Sequence, residues 1–139
     1  ARCGRQCVTR LPMPTDAGEP MKWVGVSNRM TDPILDRDPK LRLVVERLIS
    51  VYRPDRIYLF GSIARGDADE DSDYDLMVLV PDDAAPERRG SRLAYQALRG
   101  TGIAADVLVW MRGSFERRAH VVASLPATVL REGKLLHAA

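Results

Sequence analysis

The chain has almost no cysteine, only two histidines, no long apolar run and no marked excess of either charge. Each shortage removes a class of function. Cys3 and Cys7 form a lone C-x-x-x-C pair with no histidine nearby. A structural zinc usually takes four ligands, so the pair is read as incidental. His120 and His137 have no carboxylate or cysteine at ligand spacing, and packing or surface roles are expected of both. No apolar stretch approaches the roughly 20 residues that cross a bilayer. The basic N-terminal residues are not followed by the apolar segment of a signal peptide. The expectation is therefore no membrane association and a cytoplasmic location. Low-complexity blocks and internal repeats are absent as well.

The net charge of +2 conceals an uneven distribution. Residues 1–30 hold five basic and two acidic residues, whereas the rest hold sixteen basic and seventeen acidic. The basic excess thus lies outside the body of the domain. A nucleic-acid-binding face needs Lys and Arg clustered on folded structure, so nucleic acid is not expected as a direct ligand. The arginines at 88–92 and 112–118 are read as solvated helix faces.

At 139 residues the chain supports one domain with a real core but no second substrate-binding domain. Residues 1–30 carry three prolines and three glycines with no sustained period and read as a flexible or irregular extension. The domain is placed at 31–139, with order beginning at Asp38-Pro39, an N-cap followed by proline at the first helical position. Leu41, Val44, Val45, Leu48, Ile49 and Tyr52 then recur at helical spacing up to Pro54. Ile57–Phe60 and Leu76–Val80 read as strands, the second buried on both faces. A helical face from Gly90 to Leu98 ends at Gly100. Val107–Trp110 is a third strand, entered through Asp106. The remainder reads as short helices with Ser114 and Ser124 as caps, and Gly133 closes the last before a Leu135-Leu136 tail. This order implies an α/β domain, a small mixed β-sheet covered by helices.

The chemistry concentrates in Gly61-Ser62, ten further residues, and then Asp73-Tyr74-Asp75. Glycine lets a phosphate approach the backbone closely where a strand turns into the next element. Ser62 adds a hydroxyl donor. Asp73 and Asp75 stand two apart at a strand entrance, where alternate side chains share a face and Tyr74 points the other way. Two carboxylates so placed repel unless a cation lies between them. A hard divalent ion such as Mg²⁺ prefers carboxylate and triphosphate oxygens together. Asp106 alone reads as a turn or cap residue. If its strand lies beside that of Asp75, the three carboxylates converge in the manner of two-metal catalysis. Asp67, Asp69, Glu70 and Asp71 read as a solvated loop.

These motifs, with Ile57–Ser62, Ala64-Arg65-Gly66 and Ser72–Leu76 around them, resemble the polymerase-beta-like nucleotidyltransferases, and among them the minimal nucleotidyltransferase branch. Residues 127–136 are similar to the way those small proteins finish. The resemblance covers about 38–137 and implies the polymerase-beta-like nucleotidyltransferase core. It implies that Gly61 and Ser62 hold the triphosphate of ATP, and that Asp73, Asp75 and Asp106 ligate Mg²⁺, two ions being expected. Asp106 would also help deprotonate the acceptor hydroxyl. Arg65 is a candidate phosphate contact, with a plain surface arginine as the alternative. Ile63 stands where many relatives carry a polar or basic residue, which removes side-chain help there but leaves the metal site intact.

For function, the resemblance implies an antitoxin that transfers AMP from ATP to a tyrosine of a HEPN-type ribonuclease toxin, in a hetero-oligomer with it. Two alternatives stand beside this one. The acceptor is a small molecule such as an aminoglycoside, or the protein is an antitoxin that binds without chemistry. The mutually repelling carboxylates count against the last.

Overall fold

A computed structural model describes residues 29–139. Cys3, Cys7 and nearly all of the expected N-terminal extension lie outside them. Asp38 caps the central helix as the sequence suggests. Its carboxylate accepts from the Leu41 N–H at 3.1 Å, with Pro39 following. Helix α2 (Pro39–Tyr52) buries Leu41, Val44, Val45, Leu48 and Tyr52 along one stripe. Each such side chain contributes about 1.5–3 kcal/mol by leaving water. The helix ends where Arg53 turns left-handed at φ 47, ahead of Pro54. A one-turn helix α1 (Ile34–Arg37) precedes it, so order begins before Asp38.

Strand β2 (Arg56–Phe60) runs antiparallel to β3 (Tyr74–Val80), and β4 (Ala105–Met111) lies parallel to β3 on its other side. Between β2 and β3 comes the short helix α3 (Gly61–Arg65), and α4 (Arg92–Leu98) makes the crossover from β3 to β4. Helices α5 (Arg112–Arg118) and α6 (Leu125–Glu132) follow. Ser124 caps α6, its hydroxyl accepting from the Ala127 N–H at 3.2 Å. Ser114, by contrast, lies inside α5. The first turn of α5 is capped from outside by Asp82, which accepts from the Gly113 N–H at 2.9 Å.

The segment read as a tail is a strand. β5 (Lys134–Ala138) inserts between β2 and the two-residue strand β1 (Arg29–Met30), giving the order β1-β5-β2-β3-β4. Arg29 and Met30, assigned by sequence to the irregular extension, are therefore the sheet's outer edge. The sheet is mixed, as expected, with five strands where sequence reading found three.

Side-chain alternation divides the core. Ile57, Leu59, Leu76, Val78 and Val107 pack under α1, α2 and α4. Tyr58, Met77 and Leu79 pack on the other face against Phe115 of α5 and Val129 of α6. The Tyr52 hydroxyl ties the first layer together, donating to the Gly90 carbonyl at 2.6 Å and accepting from the Ala94 N–H at 3.0 Å. Among the described residues, no helix is long and apolar enough to cross a membrane.

Candidate active site at the β2–β3–β4 end

The register of the three central strands brings the acidic residues together. Phe60 at the end of β2 pairs with Asp75, and Asp75 pairs with Asp106 across the parallel ladder. Asp75 and Asp106 have the parity of Met77, Leu79, Leu108 and Trp110, and so share the α5–α6 face of the sheet. Asp73 comes one residue before β3. The sequence condition for convergence, that β4 lie beside β3, is met.

At Gly61 the chain leaves β2 with φ 75, a conformation that L side chains rarely adopt. A Cβ at this position would collide with the Asp75 carboxylate, whose Cγ lies 3.0 Å from that point. The glycine is thus required twice, for its backbone angle and for the space that Asp75 occupies. Ser62 follows in the first turn of α3, half-buried, and its hydroxyl has no hydrogen-bond partner among the described residues. Gly66, at φ 83, ends the helix.

Asp75 is half-buried, whereas Asp73 and Asp106 are exposed. Burial raises the Asp75 pKa, and the nearby charges of Asp106 and Asp73 push it further in the same direction. Arg65 opposes them. Its guanidinium pairs with Asp67 at 3.3 Å and with Glu132 at 3.7 Å, so it belongs to the site's electrostatics while its direct partners lie elsewhere. The acidic side chains are electrostatic neighbours that do not close on a common point. Among the described residues, no three His, Cys, Asp or Glu side chains are gathered tightly enough to hold a metal ion.

The loop leading to Asp73 is exposed, as expected, but it is also locally organised. Asp69 accepts from the Asp71 N–H at 3.0 Å and from the Ser72 hydroxyl at 3.1 Å, and that hydroxyl accepts from the Asp69 N–H at 3.0 Å. The Asp69-x-x-Ser72 spacing is the signal that could have revealed this turn. Tyr74 points to the face away from Asp75 and Asp106, and its hydroxyl donates to the Asp38 carboxylate. Nothing in the sequence linked Tyr74 to Asp38. On that side a cleft of about 490 Å³ is lined by Asp38, Tyr74, Ile63, this loop and residues 102–104. Both histidines are remote from the chemistry: His120 is exposed, and His137 is buried in β5.

Residues 39–135 match the family described as the nucleotidyltransferase domain. No curated protein matches the sequence. Several solved structures are similar. A Sulfolobus solfataricus protein assigned as a nucleotidyltransferase is 24% identical over 73% of this chain and 83% of its own, with a TM-score of 0.48. A toxin–antitoxin complex with AMP-PNP gives 24% identity over 69% and 72%, with a TM-score of 0.47. A Shewanella oneidensis complex of a tri-AMPylated HEPN toxin with its MNT antitoxin gives 20% over 78% and 74%, with a TM-score of 0.42.

Proposed function

The chain belongs to the nucleotidyltransferase domain family, and from that premise we propose that it transfers AMP from ATP to a protein hydroxyl. The acceptor in this reading is a tyrosine of a HEPN-type ribonuclease toxin, which the protein silences as antitoxin within a hetero-oligomer. The observation that carries the proposal is the placement of Asp75 between Gly61 and Asp106, one strand to either side. A carboxylate with a raised pKa, beside two further carboxylates and a bare glycine turn, is suited to a cation and an anionic ligand together.

In this mechanism Gly61 and Ser62 bind the triphosphate, the glycine by close backbone approach and the serine through its hydroxyl. Asp73, Asp75 and Asp106 would hold Mg²⁺, two ions by resemblance, and the bound metal would offset charge on the triphosphate and on the departing pyrophosphate. The acceptor oxygen attacks the α-phosphorus, the bond to the β-phosphate oxygen breaks, and pyrophosphate leaves. In this reading Asp106, which is exposed beside Asp75, takes the proton of the acceptor hydroxyl. Arg65 lends positive charge to the same end of the sheet.

The exposure of Asp73 and Asp106 supports a macromolecular acceptor, because the other wall of the site then comes from the partner. A second reading keeps the same carboxylates and takes a small hydroxylated acceptor, such as an aminoglycoside, in place of the protein.

The test is incubation with Mg²⁺ and ATP, with a HEPN-type partner present or absent, followed by intact mass measurement. AMP increments on the partner, lost in Asp73→Asn, are the expected result. Transfer only to a small hydroxylated compound would favour the second reading, and transfer to nothing would overturn both.

A further inference from the structure

Tyr74 sits between the two aspartates of the motif, yet its side chain leaves on the opposite face of the sheet. There its hydroxyl reaches both carboxylate oxygens of Asp38, at 2.8 and 3.0 Å. Asp38 is itself held firmly. Its N–H donates to the Ile34 carbonyl at 2.9 Å, its carbonyl accepts from the Arg42 N–H at 3.0 Å, and its side chain caps α2 through Leu41. The tyrosine is therefore anchored to the rigid junction of α1 and α2. Its own N–H donates to the Ala104 carbonyl at 3.2 Å, which ties the start of β3 to the start of β4.

We propose that the Tyr74–Asp38 hydrogen bond positions the motif carboxylates, holding the entrance of β3 so that Asp73 and Asp75 keep their direction toward the opposite face. The inference rests on the transfer reading for its kinetic consequence only. Tyr74 is the first residue of β3, directly after the exposed loop 67–73. Strand ends next to exposed loops open most readily, and a one-residue shift in such a strand exchanges its faces. A charge-assisted bond to the half-buried Asp38 opposes that opening from the face away from Asp75. Tyr74 is thus a positioning residue.

Three variants of the full chain separate this role from simple stability. Tyr74→Phe keeps the ring and its packing but removes the donor. Asp38→Ala removes the acceptor and the helix cap. Asp38→Asn keeps both bonds available, because its amide oxygen can accept from Leu41 and its amide nitrogen can donate to the tyrosine oxygen. Amide exchange of residues 67–75 is expected to quicken about fivefold to tenfold in Tyr74→Phe and Asp38→Ala and to return toward wild type in Asp38→Asn. With Mn²⁺ as a probe, the first two variants are expected to bind about fivefold more weakly. In the transfer assay, kcat per folded molecule is expected to fall about tenfold in Tyr74→Phe with the KM for ATP nearly unchanged, the folded fraction being read from the melt of the same variant.

Unchanged exchange at 67–75 in both Tyr74→Phe and Asp38→Ala, with both variants folded, would overturn the proposal. So would a kcat loss in Tyr74→Phe that merely follows its unfolded fraction. If wild type transfers nothing, the transfer reading fails, and exchange still decides the positioning role.

Discussion

The carboxylate of Asp75 occupies the space where any residue other than glycine at position 61 would carry its Cβ. Gly61 also holds a φ of 75. A Gly61→Ala variant must therefore displace Asp75 and strain its own backbone. The expected cost is about 1–3 kcal/mol of stability, with transfer reduced on the order of 100-fold. Thermal melting beside a transfer assay checks both, and an active Gly61→Ala protein would show that this contact does not matter.

The raised pKa of Asp75 has a stability consequence whose sign follows from linkage. The native carboxyl holds its proton to higher pH than the unfolded one, so stability falls as pH rises from about 4 through the native pKa. Removing the charge removes that fall. Asp75→Asn is expected to melt higher than wild type at neutral pH in the presence of a chelator. Added Mg²⁺ is expected to raise the melting temperature of wild type and to leave the variant unmoved. Equal melting of the two proteins in chelator would contradict the repulsion among Asp73, Asp75 and Asp106.

His137 gives the opposite dependence. It is fully buried, neither ring nitrogen has a well-formed hydrogen bond among the described residues, and burial pushes its pKa below 6.5, only partly offset by the nearby Pro54 backbone. The unfolded chain then binds more protons than the native one below about pH 6.5, and stability drops as pH falls through that window. His137→Leu is expected to flatten this part of the pH profile of melting. A His137→Leu profile that runs parallel to the wild-type one between pH 5 and about 7 would count against the buried neutral histidine.

Gly133 packs its Cα against backbone, with a prospective Cβ only 3.0 Å from the Leu59 carbonyl oxygen. Gly133→Ala is expected to cost about 1–3 kcal/mol, since two backbone segments cannot both yield. At Gly90 a Cβ would meet nothing within 4 Å, and Gly90→Ala serves as the control, with an expected change within about 0.5 kcal/mol. Denaturant melts of the two variants settle the comparison.

The motif-bearing elements were legible because their signals are local. Asp38-Pro39 marked the start of α2, the unbroken Leu76–Val80 run marked a buried strand, and Gly61-Ser62 marked the turn out of β2. Strand β5 was not legible. Lys134–Ala138 is short and lacks strict alternation, and its neighbours in the sheet are β2 and Arg29–Met30, far away in sequence. Long-range pairing of this kind leaves no local periodicity to read. The cap of α5 was misplaced for the same reason. Ser114 looked suitable by composition, but the capping carboxylate comes from Asp82, 31 residues from Gly113. Likewise the D-x-D spacing pointed to a shared face for Asp73 and Asp75, while the anchoring of Tyr74 by Asp38, 36 positions away, carried no sequence signal.

The central claim is the class of reaction, and the position of the label in ATP tests it directly. Wild type and Asp75→Asn would each be incubated with Mg²⁺, acceptor, and ATP labelled at either the α- or the γ-phosphate. The account predicts that α-label enters the acceptor, that γ-label leaves as pyrophosphate, and that Asp75→Asn transfers neither. Retention of γ-label on the acceptor, or undiminished transfer by Asp75→Asn, would contradict it.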